Sequence, residues 1–140
     1  MLAQFALCTL LVTVAADTPS EPPQAAEKIQ LIAIEKAIVE QTNAQRTRYG
    51  LAPLQVDGKL MKSSRTHGIW MARNRSLQHS RGVAENIAMG YVSAPDVMKG
   101  WMSSSGHRSN ILNRSYRSIG VAAYQSSSGT IYWCQQFRSR

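Results

Sequence analysis

Carboxylates are scarce in this chain. Eight of its 140 residues are Asp or Glu, against sixteen Lys or Arg. The shortage is uneven. Residues 17–42 hold five acids and two lysines, a net −3, whereas residues 43–140 hold fourteen basic residues and only Asp57, Glu85 and Asp96, a net +11. Such a body draws anions: phosphate head groups, anionic envelope polymers, nucleic acid. No run of five like charges occurs, so the basic residues read as a scattered, solvated surface. No aromatic-rich basic stripe is present either, and no specific nucleic-acid motif follows.

Cysteine is equally sparse, with only Cys8 and Cys134. Long apolar runs are missing too. Residues 1–16 carry no charged side chain, but the run is too short to span a bilayer comfortably. It ends in small residues, and Val14 and Ala16 fit a signal-peptide cleavage pattern, although basic side chains are absent at its start. The expected organisation is a signal peptide over residues 1–16, a Pro-containing linker over 17–27 and one domain over 28–140. The expected location is secreted, extracellular or cell envelope, for a protein that is not integral to a membrane. Cleavage removes Cys8, so no internal disulfide remains, and Cys134 reads as a small buried hydrophobe in a strand-like run. There is no internal repeat and no low-complexity tract.

The remaining length is enough for a sizeable core. Spacing of three and four predicts a first helix over residues 25–49, its apolar face at Ala26, Ile29, Ala33 and Ala37 with Ile34 and Ile38 beside it, stopped by Gly50. Asp57 is placed to cap a second helix over residues 58–74, with Leu60, Met61, Ser64, His67, Gly68 and Met71 on one face. His67 therefore reads as a structural histidine. Gln78, His79 and Ser80 look like a short edge strand, followed by an apolar segment from Ala84 to Gly90. Ser93 caps a third helix with Val97, Met98 and Trp101 inward, and a short helix carries His107. The period then changes to two, and residues 119–124 and 130–137 form a hairpin. The implied fold class is α+β, a small antiparallel sheet between helical layers.

Chemistry concentrates in two stretches, His79 to Ala88 and Trp101 to Leu112. Glu85 lies inside an apolar segment, where a carboxylate must be paired or hydrogen-bonded. An arginine partner is one solution. His79, His107 and Glu85 together are a Zn-type ligand set with a position open for water, though their spacing makes no contiguous motif. Ser103, Ser104 and Ser105 raise serine chemistry with His107 and Glu85, but no nucleophile elbow is present, and helix capping is the commoner use of such hydroxyls.

A resemblance rests on Asn43-Ala-Gln-Arg46, Gly50-Leu-Ala-Pro-Leu54, His79, Ala84-Glu-Asn-Ile-Ala88, Trp101-Met-x-Ser-x-Gly-His-Arg-x-Asn-Ile-Leu112 and Ile119-Gly-Val-Ala122. With Tyr132-Trp133 and Phe137 these run in order over about residues 38–137. The chain resembles the CAP superfamily, or SCP domain: cysteine-rich secretory proteins, antigen 5 and plant pathogenesis-related 1 proteins. It is most similar to the short, disulfide-free bacterial type. The resemblance implies a secreted three-layer α-β-α sandwich with a central cleft. His79 and His107 fall on the family's two cleft histidines and Glu85 on its first acid, with Trp101, Asn86 and Ser104 beside them. Ser104 stands where the second acid is usual, and Ala84 where glycine is usual.

The family's ligands differ among members: divalent metal in some, sterols, fatty acids or acidic lipids in others, with proteolysis proposed for a few. The expectation is a non-catalytic binding module whose cleft holds Zn or another divalent cation, or supports binding of anionic lipid, sterol, cell-envelope polymer or a protein. The alternative is a metal-assisted hydrolase using His79, His107 and Glu85.

Overall fold

The computed structural model describes residues 31–139. The expected signal peptide, the linker and the first residues of the expected first helix lie outside that range. Eight elements follow in order: α1 (Ala33–Arg48), β1 (Gln55–Val56), α2 (Gly58–Asn74), β2 (Ala84–Met89), α3 (Ala94–Ser103), α4 (Ser105–Ile111), β3 (Ser118–Gln125) and β4 (Ile131–Arg138). The sheet order is β1-β3-β4-β2. β2, β4 and β3 are antiparallel neighbours, and β1 adds a short parallel pairing to β3. Helix α2 covers one face of this sheet, while α1, α3 and α4 pack together on the other. The architecture is the expected α-β-α sandwich.

Local sequence accounts for most boundaries. The Asp57 carboxylate accepts the Leu60 N–H at 2.9 Å and starts α2. Leu60, Met61, Ser64, Gly68, Met71 and Ala72 are its buried positions, the 3.6-residue stripe that the sequence predicts. The Ser93 hydroxyl caps α3, with Pro95 in the first turn, and Val97, Met98 and Trp101 face inward. α2 rides very close to β3 because Gly120 has no side chain: a Cβ there would lie 2.2 Å from the Leu60 carbonyl carbon.

Three expectations are corrected. α1 begins at Ala33, with Leu31 and Ile32 outside it. The Glu35 carboxylate accepts the Ile32 N–H at 3.1 Å and marks that start. Its inner face is also more polar than its apolar spacing suggests, since Glu35, Ile38, Thr42 and Arg46 are buried. Glu35 is held bidentately by Arg65 of α2 at 2.7 and 2.6 Å. Arg46 donates to the carbonyls of Ala52, Ile111, Asn113 and Tyr116. Lastly, Gln78, His79 and Ser80 are loop, not strand, because the Ser80 N–H is taken by the Glu85 carboxylate at 3.1 Å instead of a neighbouring strand.

Candidate functional site

Strand alternation divides β2 and β4 between the two faces. Glu85 stands opposite Gln136, and Asn86 opposite Gln135. Glu85 and Gln136 face α2 with Ile87 and Cys134, and Asn86 and Gln135 face α1 and α4.

On the α2 face Glu85 is saturated. Its Oε1 accepts the Ser80 N–H and the His79 Nδ1–H, each at 3.1 Å. Its Oε2 accepts the Ser80 hydroxyl at 2.5 Å and the Gln136 amide at 2.8 Å, with the Cys134 thiol at 3.6 Å. A carboxylate offers about four acceptor positions, and protein donors occupy them. Among the described residues its ion-pair partners are His79 and His67 rather than an arginine. Because a carboxylate only accepts, His79 carries its proton on Nδ1 and turns Nε2 outward. His67 is also close. Its Nε2 lies 2.8 Å from the Gln78 carbonyl, so that nitrogen bears the proton, and 3.7 Å from Glu85 Oε1. Burial alone would push the Glu85 carboxyl up. The hydrogen bonds from Gln136 and Ser80, with His67 nearby, outweigh it and hold the group below the usual carboxylate range.

On the other face a sealed polar chain leads from α1 to α4. Thr42 donates to the Ile38 carbonyl at 2.7 Å and accepts from Gln135 at 2.6 Å. The Asn86 amide donates to Gln135 Oε1 and to the His107 carbonyl, both at 3.0 Å, and accepts from Asn110 at 2.9 Å. His107 is half-buried. Burial first, and then the charge of His79, hold its imidazole below the ordinary value. A histidine paired with a carboxylate shifts the other way, so His107 sits among groups that disfavour its proton. Asn86 and Trp101 are buried beneath this region rather than exposed to it. The Trp101 indole donates to the Ile87 carbonyl at 3.3 Å. Ser104 joins α3 to α4.

A cleft of about 700 Å³ opens between α2 and residues 78–81. Its cations are Lys59, Lys62 and Arg81, its smaller polar groups Ser63, Thr66, Gln78 and Ser80, and its rings His67, Trp70 and His79. The His67 and Trp70 rings stack, their centroids 5.9 Å apart and their planes 6° apart. His67, expected in the core, thus lines the cleft. A signal for it was available: positions 59, 62, 63, 66, 67 and 70 repeat at helical spacing along one side of α2.

These residues do not fit a chelated divalent cation. Glu85 has no acceptor position to spare, and serine stands at 104. Among the described residues no group of three His, Cys, Asp or Glu could hold a metal ion. His79 and His107 alone fall short of the three protein ligands of a catalytic zinc site. Nor is a thiol nucleophile ready, since burial, and then the Glu85 charge, push the Cys134 thiol well up.

A model of the cysteine-rich secretory protein family, CAP, matches residues 39–137. The uncharacterised protein YkwD of Bacillus subtilis (strain 168) is 38% identical over 147 aligned positions, covering 86% of this chain and 56% of that protein. The chain therefore spans little more than half of that curated relative. Among solved structures, an outer surface protein from Borrelia burgdorferi matches with a TM-score of 0.69 at 19% identity, over 75% of this chain and 91% of that one. An extracellular protein containing an SCP domain from Bacillus anthracis matches at 0.68 and 24% identity, over 76% of this chain and 40% of that one. At these identities the structural likeness is one of fold. No helix of the described residues is long and apolar enough to cross a membrane.

Proposed function

The chain belongs to the cysteine-rich secretory protein (CAP) family, and from that premise we propose that it is a non-catalytic binding module, working outside the cell or in its envelope, whose cleft takes an anionic ligand. One observation carries this reading. The carboxylate under the cleft is fully hydrogen-bonded by protein donors, while Lys59, Lys62 and Arg81 line the cleft. Among the described residues none of those three cations forms an ion pair. A cleft with low-dielectric walls and one sign of charge concentrates ligands of the other sign. The placement outside the cell is supported by relatives named as an outer surface protein and an extracellular protein.

The test is calorimetric titration with a short anionic oligomer and with its neutral counterpart. The anionic ligand should bind with an affinity that falls as salt rises. The double variant Lys62→Glu, Arg81→Glu should lose binding by about tenfold or more, with its melting temperature unchanged. Equal affinity for neutral and anionic ligands would overturn the reading. So would Zn-dependent hydrolysis of any substrate that His107→Ala abolishes, the outcome that the metal-assisted alternative requires.

A further inference from the structure

The cleft lining is unusual for a site that takes lipid chains. Among the described residues it contains no Leu, Ile, Val, Met or Phe. Leu77, exposed at the neighbouring position, is outside it. An acyl chain or a sterol is held by an enclosed wall of aliphatic side chains, because its affinity comes from apolar area removed from water. Here the apolar surface is the flat Trp70 ring, stacked on His67, and the stems of two lysines. Trp70 is 41% exposed, whereas Trp101 and Trp133 are 1% and 0% exposed. Large exposed indoles are costly to leave in water, and this one is braced by a neighbouring ring in a fixed orientation.

Around this platform are groups of two kinds. Ser63, Thr66 and Gln78 supply hydroxyl and amide hydrogen bonds, and Lys59, Lys62 and Arg81 supply positive charge. The ligand that satisfies all three features together has a flat apolar patch, many hydroxyls and an anionic group. A sugar ring bearing carboxylate or phosphate has them. Its C–H face lies on an indole as other flat faces do, its hydroxyls exchange water for side-chain partners, and its anion meets the cations. We infer that the cleft is a subsite for an anionic carbohydrate, with Trp70 as the platform on which one sugar ring stacks. The inference rests on the anion-binding reading above and names its ligand class. The braced ring selects the sugar, and the cations select its charge.

A short oligogalacturonate is the probe, with neutral maltooligosaccharide and phosphatidylglycerol vesicles as comparisons. Trp70 is the one exposed tryptophan, so saturable change of intrinsic fluorescence on adding oligogalacturonate reports the platform directly. Trp70→Ala should abolish that signal and weaken oligogalacturonate binding on the order of tenfold. Trp70→Phe should restore most of the affinity, because a smaller ring still stacks. Vesicle binding, measured by co-sedimentation, should be equal in wild type and Trp70→Ala. Unchanged oligogalacturonate affinity in Trp70→Ala overturns the carbohydrate inference, as does vesicle binding that depends on Trp70 while oligogalacturonate binding does not. If Lys62→Glu, Arg81→Glu also leaves every anion bound as before, the anion-binding reading fails with it. If that variant loses binding and Trp70→Ala does not, only the carbohydrate inference fails.

Discussion

Gln135 and Gln136 are adjacent, both fully buried, and lead different lives. Gln135 belongs to the face under α1 and α4. There its amide closes a chain with Thr42, Asn86 and Asn110, backed by the larger apolar cluster that includes Ile38, Trp101, Val121 and Trp133. Gln136 belongs to the face under α2. There it holds the Glu85 carboxylate beside a smaller cluster of Met71, Ile87, Ala122 and Cys134, and its own carbonyl oxygen finds no partner among the described residues. One face is sealed and its polar groups are matched to one another. The other keeps a charge at its centre and opens into a cleft. Polar residues on the sealed face serve rigidity, since an unpaired group there has no recourse to water. Those on the open face serve the site, since His79 and Ser80, which hold the buried carboxylate, also line the cleft.

The largest break in this contrast is expected at Asn86. Asn86→Ala leaves the His107 carbonyl, the Gln135 oxygen and the Asn110 amide without their partner in a fully buried position. The expected loss is about 3 kcal/mol of stability, read from urea unfolding. A loss under about 1 kcal/mol would show that the sealed chain matters no more than surface bonds.

Glu85→Gln should cost less at neutral pH, about 2 kcal/mol. The substitution faces an amide donor toward Ser80, His79 and Gln136, but Ser80 and His79 line the cleft and can turn to water instead. If Glu85→Gln proved costlier than Asn86→Ala, the two faces would not differ as described.

The smallest and most diagnostic effect is in the pH dependence. Glu85 and His107 are both held below their ordinary values, so the unfolded chain binds more protons than the folded one in each window. Stability is fullest above about pH 6.5, the ordinary imidazole value. It falls first as acid protonates His107 in the unfolded chain, and again below about pH 4.5 as Glu85 does the same. His107→Gln should remove the upper step and Glu85→Gln the lower one. Melting temperatures across that range decide it, and a wild-type melting temperature that rises as pH drops from about 7 to 5 would contradict the placement of His107.

Much of the fold was legible. The stripe on α2, the Asp57 and Ser93 caps and the β3–β4 hairpin are local patterns of period 3.6 or 2, and they formed as read. β1 escaped because two residues are too few to alternate visibly, and it exists only where β3 runs beside it. The inner face of α1 escaped because Glu35 and Arg46 are buried with partners thirty residues or more away, or with backbone carbonyls that no periodicity marks. The motif order brought His79, Glu85 and His107 under suspicion together. It did not reveal that Glu85 is saturated, or that His67 belongs to the cleft.

The sequence by itself determined the four helices and the three longer strands, because helix and strand periods, caps and turn residues act within a few positions of one another. Only the tertiary structure decided which polar side chains are sealed and which face the cleft. Glu85 and Asn86 differ by one position on a strand, and that one step sends the carboxylate under α2 and the amide under α4. Whether each becomes a site or a strut depends on the donors that distant segments bring to it.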